Sequence, residues 1–323
     1  MEKSLAPVVL FAYNRPFHTK QALEHLMANN QADNSRLYIF CDGAKAQTST
    51  EEIKAVVETR KVVREKKWCK EVFIFESEEN KGVAGSIIEG VTDVLDIYDK
   101  VIVLEDDLLT SRHFLTYMNK ALDYYQDRCG VFSISADRPP YNLFHIPDSY
   151  EYDVFASLRF YSTGWGTWKD RWNKVDWSMK NLDDFLAKPE QVKAFNRGGE
   201  DLTRLLLLQQ DNKIDSWAIR FIFAHFNNHA VSILPCRSYI DNIGFDGTGI
   251  HSGNDERNFR KDLSLAIPDP HFPSILYEDR QIINAFYSSH FPGKRPIWKR
   301  VINRVSRFTL GKPVFTVKMK IYC

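Results

Sequence analysis

Four short, nearly unbroken apolar runs, at residues 7–13, 37–41, 71–75 and 101–104, alternate with segments whose apolar residues recur at helical spacing. A strand that lacks a polar face is buried on both sides. Strands of that kind joined through helices lie parallel in a sheet covered on both faces. The intervening segments predict helices over residues 18–29, 51–65 and 83–98, the last with Val83, Ile87, Val91, Val94, Leu95 and Tyr98 on one face. Ligands of such sheets bind beyond the carboxyl ends of the strands. Those ends read Asn14-Arg15, Asp42-Gly43, Asn80-Lys81-Gly82 and Glu105-Asp106-Asp107. Polar or charged residues at all of them predict one shared site.

The second half is less regular. Helices are predicted over 114–125, 202–209 and 215–229, the last with Asp215 as its N-cap, and strands over 131–135 and 231–234. Residues 155–177 hold four of the seven tryptophans and are predicted to be packed. Residues 242–254 hold four glycines and read as a mobile loop.

At 323 residues, 44% hydrophobic and 26% charged, the chain is long enough for a large core, and its composition excludes disorder and a disulfide-stapled miniprotein. Its five cysteines are scattered and never spaced C-x-x-C, which argues for a reducing compartment and against a zinc cluster. No signal-peptide pattern opens the sequence, and no run reaches the length of a spanning helix. The charge is divided. Residues 291–323 carry nine basic residues and no acidic one, leaving residues 1–290 at −8 within a net charge of +1. The acidic body argues against nucleic acid as a partner.

The strongest local signal for chemistry is Glu105-Asp106-Asp107 at the end of a buried strand. Three carboxylates there repel one another, and each is costly to keep ionised unless a cation compensates it. A hard divalent ion, Mn²⁺ or Mg²⁺, bridging to a phosphate supplies that compensation. The plainer reading makes Asp107 a cap for a helix beginning near Ser111. The first strand is not followed by G-x-G-x-x-G, and the sequence contains neither G-x-x-x-x-G-K-[ST] nor G-x-S-x-G, so dinucleotide, P-loop and α/β-hydrolase readings lose their main support.

Several segments, in the same order, resemble glycosyltransferases of the GT-A fold, and most of all the group typified by N-acetylglucosaminyltransferase I. They are Val9-Leu-Phe-Ala-Tyr-Asn14-Arg15, Tyr38-Ile-Phe-Cys-Asp42, Val103-Leu-Glu105-Asp106-Asp107, Tyr161-Ser-Thr-Gly164-Trp165-Gly166-Thr-Trp168, Asp215-Ser-Trp217, and Ile243–Gly253 with its His251. The resemblance covers roughly residues 7–255. It implies a Rossmann-like, mostly parallel central sheet with helices on both faces and an acceptor-side region after it. It also implies an inverting, metal-dependent transfer from a nucleotide-sugar, UDP-sugar favoured and UDP-GlcNAc among the candidates. By that resemblance Arg15, Asp42, Glu105 and Asp106 belong to the nucleotide-sugar site, Asp107 and His251 to the metal, and Asp215 is the base. The chain departs from the group at Asp215-Ser216, where the group has two aspartates.

Several readings stay open side by side. Lys81 reaches phosphate or is solvated. Trp165 and Trp217 are acceptor-side aromatics or core. Residues 1–110 are expected to form the donor-binding half, 111–290 the acceptor-binding and catalytic half of the same domain, and 291–323 a basic amphipathic tail. That tail either lies on an anionic membrane or packs on the acidic body. A glycan or lipid-linked acceptor in surface polysaccharide synthesis, and a cytoplasmic or inner-face location, go with the first reading. The alternatives are a sugar-1-phosphate nucleotidyltransferase and a non-catalytic nucleotide-sugar or glycan-binding protein.

Overall fold

The computed structural model describes residues 4–141, 144–246, 260–274 and 278–290. The first half runs β1 (Val8–Ala12), α1 (Pro16–Met27), β2 (Arg36–Cys41), α2 (Thr50–Val62), β3 (Glu71–Glu76), α3 (Gly82–Ile97) and β4 (Lys100–Glu105). The chain continues through β5 (Leu108–Thr110), α4 (Phe114–Tyr125), β6 (Val131–Ser135), β7 (Val154–Ser157) and β8 (Trp165–Trp168). Then follow α5 (Lys169–Trp172), α6 (Leu182–Leu186), α7 (Pro189–Phe195), α8 (Leu202–Gln210), α9 (Trp217–Asn227), β9 (Val231–Pro235), β10 (Ile240–Asn242) and α10 (Arg280–His290).

An eight-stranded sheet is ordered β3-β2-β1-β4-β8-β6-β9-β7. Strands β1 to β4 are mutually parallel, and β6 and β9 run with them. Strands β8 and β7 run the other way. The sheet is therefore mixed and mostly parallel, flanked by helices; the alternation predicted the parallel strands β1 to β4, and the antiparallel β7 and β8 lie outside that prediction.

Residue alternation along each strand sorts side chains into two cores. Val8, Leu10 and Ala12 join Ile102 and Leu104 under α1 and α4. Val9 and Phe11 join Val101 and Val103 under α3 and α9. Burial on both faces is the reason these strands carry no polar side. A smaller cluster seats α10 on β7 and β9 through Phe144, Phe155, Leu234, Ile282 and Phe286.

The tryptophan-rich stretch is packed as predicted, and it also contributes a strand. β8 inserts between β4 and β6, sending Trp165 into one core and Trp168 into the other. A separate antiparallel ribbon pairs β5 with β10, Asp241 opposite Leu109. It brings the chain after Asn242 back over Asp107, and the periodicity of such short strands gave no sign of it.

The helix predicted from Asp215 begins later. Its N-cap is Ser216, whose hydroxyl accepts from the Ile219 N–H at 3.3 Å. Asp215 lies outside the helix and caps nothing in it.

Candidate functional site

The carboxyl ends of β1, β2 and β4 lie side by side, since β1 pairs with both neighbours. Adjacent strands are about 4.8 Å apart, so the residues just past these ends share one small surface.

On the β4 side, Arg15 is the hub. Its Nη1 donates to Asp107 Oδ2 at 2.9 Å and lies 4.0 Å from Asp106 Oδ1. Asp106 Oδ2 accepts from the Tyr13 backbone N–H at 3.3 Å, which ties the β1 end to the β4 end. Burial, followed by the charges of Asp107 and Asp106, pushes the Glu105 carboxyl well above the usual range, against the pull of Arg15. Asp106 is raised in the same way by burial and Asp107. Burial works to lower the Arg15 value, and Asp106, Asp107 and Asp246 more than offset it. Asp107 caps no helix. α4 starts at Phe114 with no side-chain cap, so the capping reading of Asp107 is corrected.

The segment after β10 leans on the same carboxylate. The Ile243 N–H donates to the Asp107 carbonyl at 3.0 Å. A Cβ on Gly244 would collide with Asp107 Oδ2, so any other residue there displaces either the loop or that carboxylate. Asp246 Oδ2 then sits 3.1 Å from His18 Nε2. His18 and Asp246 had escaped the sequence reading. A signal was present, because His18 follows Arg15 by three residues and shares its side of the first turn of α1.

On the β2 side, Asp42 joins β2 to the start of α3. Its Oδ1 accepts from the N–H of Gly43 and of Lys81, each at 2.9 Å. Its Oδ2 accepts from Gly82 N at 3.1 Å and Asn80 Nδ2 at 3.0 Å. Lys81 sends its ammonium along α3 to Glu89. Asp215 joins this group. Gly82, at φ +71°, places its absent Cβ 3.7 Å from Asp215 Oδ2. Between the two groups, Tyr13 Oη donates to Glu52 Oε1 at 2.5 Å and accepts from the Lys45 N–H at 3.3 Å.

The structure thus gathers Arg15, Glu105, Asp106 and Asp107 at one point and Asp42, Lys81 and Asp215 at another along the same sheet edge. Trp165 and Trp217 are not at its surface. They are 1% and 4% exposed and stack on each other with centroids 4.8 Å apart, so neither offers a ring face to a sugar. His251 and residues 291–323 lie outside the described residues.

A divalent cation suits the chemistry of this donor set. The carboxylates are hard oxygen donors in excess over the one guanidinium among them. Among the described residues, no group of three His, Cys, Asp or Glu side chains is placed to hold a metal by itself. A site of one or two carboxylates completed by substrate phosphates fits what is there. No helix among the described residues is long and apolar enough to cross a membrane.

No protein-family model matches the chain, and no curated protein matches it. Among solved structures it is similar to TarS of S. aureus, 11% identical over 73% of this chain and 36% of that one, with a TM-score of 0.38. It is similar to a UDP-glucose pyrophosphorylase solved with UDP-glucose, 12% identical over 53% of this chain and 79% of that one, with a TM-score of 0.32. It is also similar to the galactosyltransferase LgtC solved with donor and acceptor sugar analogues, 11% identical over 68% and 69% of the two chains, with a TM-score of 0.32. The chain thus spans about a third of the length of TarS.

Proposed function

We propose that this protein is an inverting glycosyltransferase that moves a sugar from a nucleotide-sugar, UDP-sugar favoured, to a hydroxyl of a glycan or lipid-linked acceptor. The observation that carries the reading is the sheet edge itself. Arg15 and three carboxylates crowd one end, and Asp215, free of the helix cap, stands at the other.

The acceptor oxygen attacks the anomeric carbon as the bond from that carbon to the phosphate oxygen breaks. The nucleoside diphosphate leaves with the electron pair, and the acceptor proton passes to Asp215. Attack from the face opposite the leaving group inverts the anomeric centre. Arg15 supplies positive charge where the diphosphate gains negative charge. Asp107 would hold Mn²⁺ or Mg²⁺, and the ion would supply further charge neutralisation there when bound. Asp42, with Tyr13 and Glu52 beside it, fixes the loops that flank the nucleotide.

The test is a screen of UDP-, GDP-, TDP- and CMP-sugars with Mn²⁺, read by thermal shift and by release of nucleotide. Stabilisation and slow hydrolysis with one nucleotide class supports the reading. Stabilisation with no turnover favours a binding protein, and synthesis of a nucleotide-sugar from a sugar-1-phosphate favours the nucleotidyltransferase.

A further inference from the structure

Arg220, on the first turn of α9, reaches back past its own N-cap. Its Nε donates to the Ser216 carbonyl at 3.1 Å and its Nη1 to the Trp177 carbonyl at 3.3 Å. The guanidinium carbon lies 5.8 Å from the Trp177 ring centroid. The side chain is 14% exposed and held by two carbonyls, so its direction is fixed. The remaining nitrogen, Nη2, points at Asp215 Oδ1, 3.6 Å away. Asp215 itself is 66% exposed and, with Ser216 as the cap, owes nothing to the helix. Its other oxygen, Oδ2, lies beside Gly82, 3.7 Å from where a Cβ on that glycine would sit. An exposed carboxylate on a loop otherwise samples several rotamers, and each is a different distance from a bound hydroxyl.

We infer that Arg220 is a positioning residue for Asp215, holding that carboxylate in one direction beside Gly82 so that it faces the acceptor hydroxyl. The assignment rests on the reading of Asp215 as the base. A base misdirected by an ångström loses much of its rate without altering donor affinity. The effect of Arg220 is therefore in turnover and disappears when the carboxylate is gone.

The experiment uses the full chain and hydrolysis of UDP-GlcNAc, or of whichever UDP-sugar the screen selects, with Mn²⁺. Arg220→Ala is expected to lower kcat about tenfold with the donor KM unchanged. Arg220→Lys is expected to recover part of the loss. In an Asp215→Asn background, Arg220→Ala is expected to change nothing further, since the two residues act as one unit. Arg220→Gln, which keeps a donor for the Ser216 carbonyl and drops the charge, replaces Arg220→Ala if that variant does not fold. Wild-type kcat in both neutral variants overturns the assignment. So does an equal fold-loss in the wild-type and Asp215→Asn backgrounds, because Arg220 then acts through the fold and not through Asp215. If Asp215→Asn alone hydrolyses at the wild-type rate, the base reading falls first, and separately.

Discussion

Arg15 Nη1 lies 2.9 Å from Asp107 Oδ2, and this contact joins the loop after β1 to the loop after β4. The guanidinium also stands 4.0 Å from Asp106, so it is the cation on which both carboxylates depend among the described residues. Removing either end of the contact has unequal consequences. Asp107→Ala leaves Arg15 with Asp106 and Asp246 as partners, and the fold is expected to survive. Transfer and its dependence on Mn²⁺ are expected to be lost. Arg15→Met leaves two largely buried carboxylates without their partner and is expected to cost about 3 kcal/mol of stability. Urea midpoints of the two variants in EDTA, beside activity with Mn²⁺, check both statements. Full wild-type activity in EDTA would remove the metal from the mechanism.

Asp215 and Ser216 are sequence neighbours with opposite expected signatures. Ser216→Ala removes the cap of α9 and is expected to cost about 1 kcal/mol, with kcat changed little. Asp215→Asn removes no cap and is expected to leave the melting temperature near normal while lowering turnover by a factor on the order of 10² to 10⁴. Donor hydrolysis and thermal melting on both variants decide it. A large stability loss in Asp215→Asn would contradict the capping assignment.

Gly244 is pinned by contact. A methyl group there collides with Asp107 Oδ2, so either the loop or the carboxylate must give way. Gly244→Ala is expected to destabilise by about 1–3 kcal/mol, as overpacking does, and to lower donor affinity by displacing Asp107 from Arg15. Isothermal titration with UDP and Mn²⁺ measures the second effect, and unchanged affinity would show that Asp107 tolerates the shift.

His225 makes stability depend on pH. Its ring is buried, with Nδ1 donating to the Phe221 carbonyl at 2.7 Å and Nε2 2.8 Å from the Ser133 hydroxyl. Burial is the chief cause that pushes its value down to about 4. The unfolded chain, titrating near 6.5, therefore binds more protons between those values. Stability from this residue is complete above about pH 6.5 and declines as the pH falls toward 4, by about 2 kcal/mol at pH 5. Urea unfolding at pH 7 and pH 5 is expected to show a steeper loss in the wild type than in His225→Gln. Equal losses would place the sensitivity elsewhere.

The basic segment 291–323 interleaves Lys299, Arg300, Arg304 and Arg307 with Ile297, Val301, Ile302, Val305 and Phe308. Each basic residue near an anionic surface contributes roughly 1 kcal/mol. The full chain is expected to sediment with anionic liposomes at low salt and to release at high salt. A chain ending near Pro292 that sediments equally well would show that the tail is not the anchor.

β1, β2 and β4 were legible because burial on both faces leaves an unbroken apolar run that no helix or hairpin copies, whereas β3, read the same way, is an edge strand whose Phe73 and Phe75 stay exposed. Strand ends then placed Arg15 and Asp107 on one edge before any side-chain contact was known. β8 escaped as a strand because Trp165-Gly-Thr-Trp168 is short and carries a glycine, which strand interiors seldom do. β5 and β10 are too short to show a period at all. The cap of α9 was misread because aspartate and serine cap about equally well, and only the hydroxyl's position over the Ile219 N–H separates them. Arg220 was invisible for the same reason, since its partner is exposed only when Asp215 is not the cap.

The place of β8 sets an order on assembly. β4 has β1 on one side and β8 on the other, while both neighbours of β6 come later in the chain. As the chain leaves the ribosome, β1 to β4 can pair with helices already made, but the outer side of β4 stays open until Trp168 has emerged. β6 must wait longer still, for β8 and then β9. Pairings so distant in sequence are slow to form, because the loop between them must close before any contact repays it. During synthesis the rim of β4, with the backbone from Lys100 to Val103 still unpaired, is thus the surface most in need of shielding from other chains.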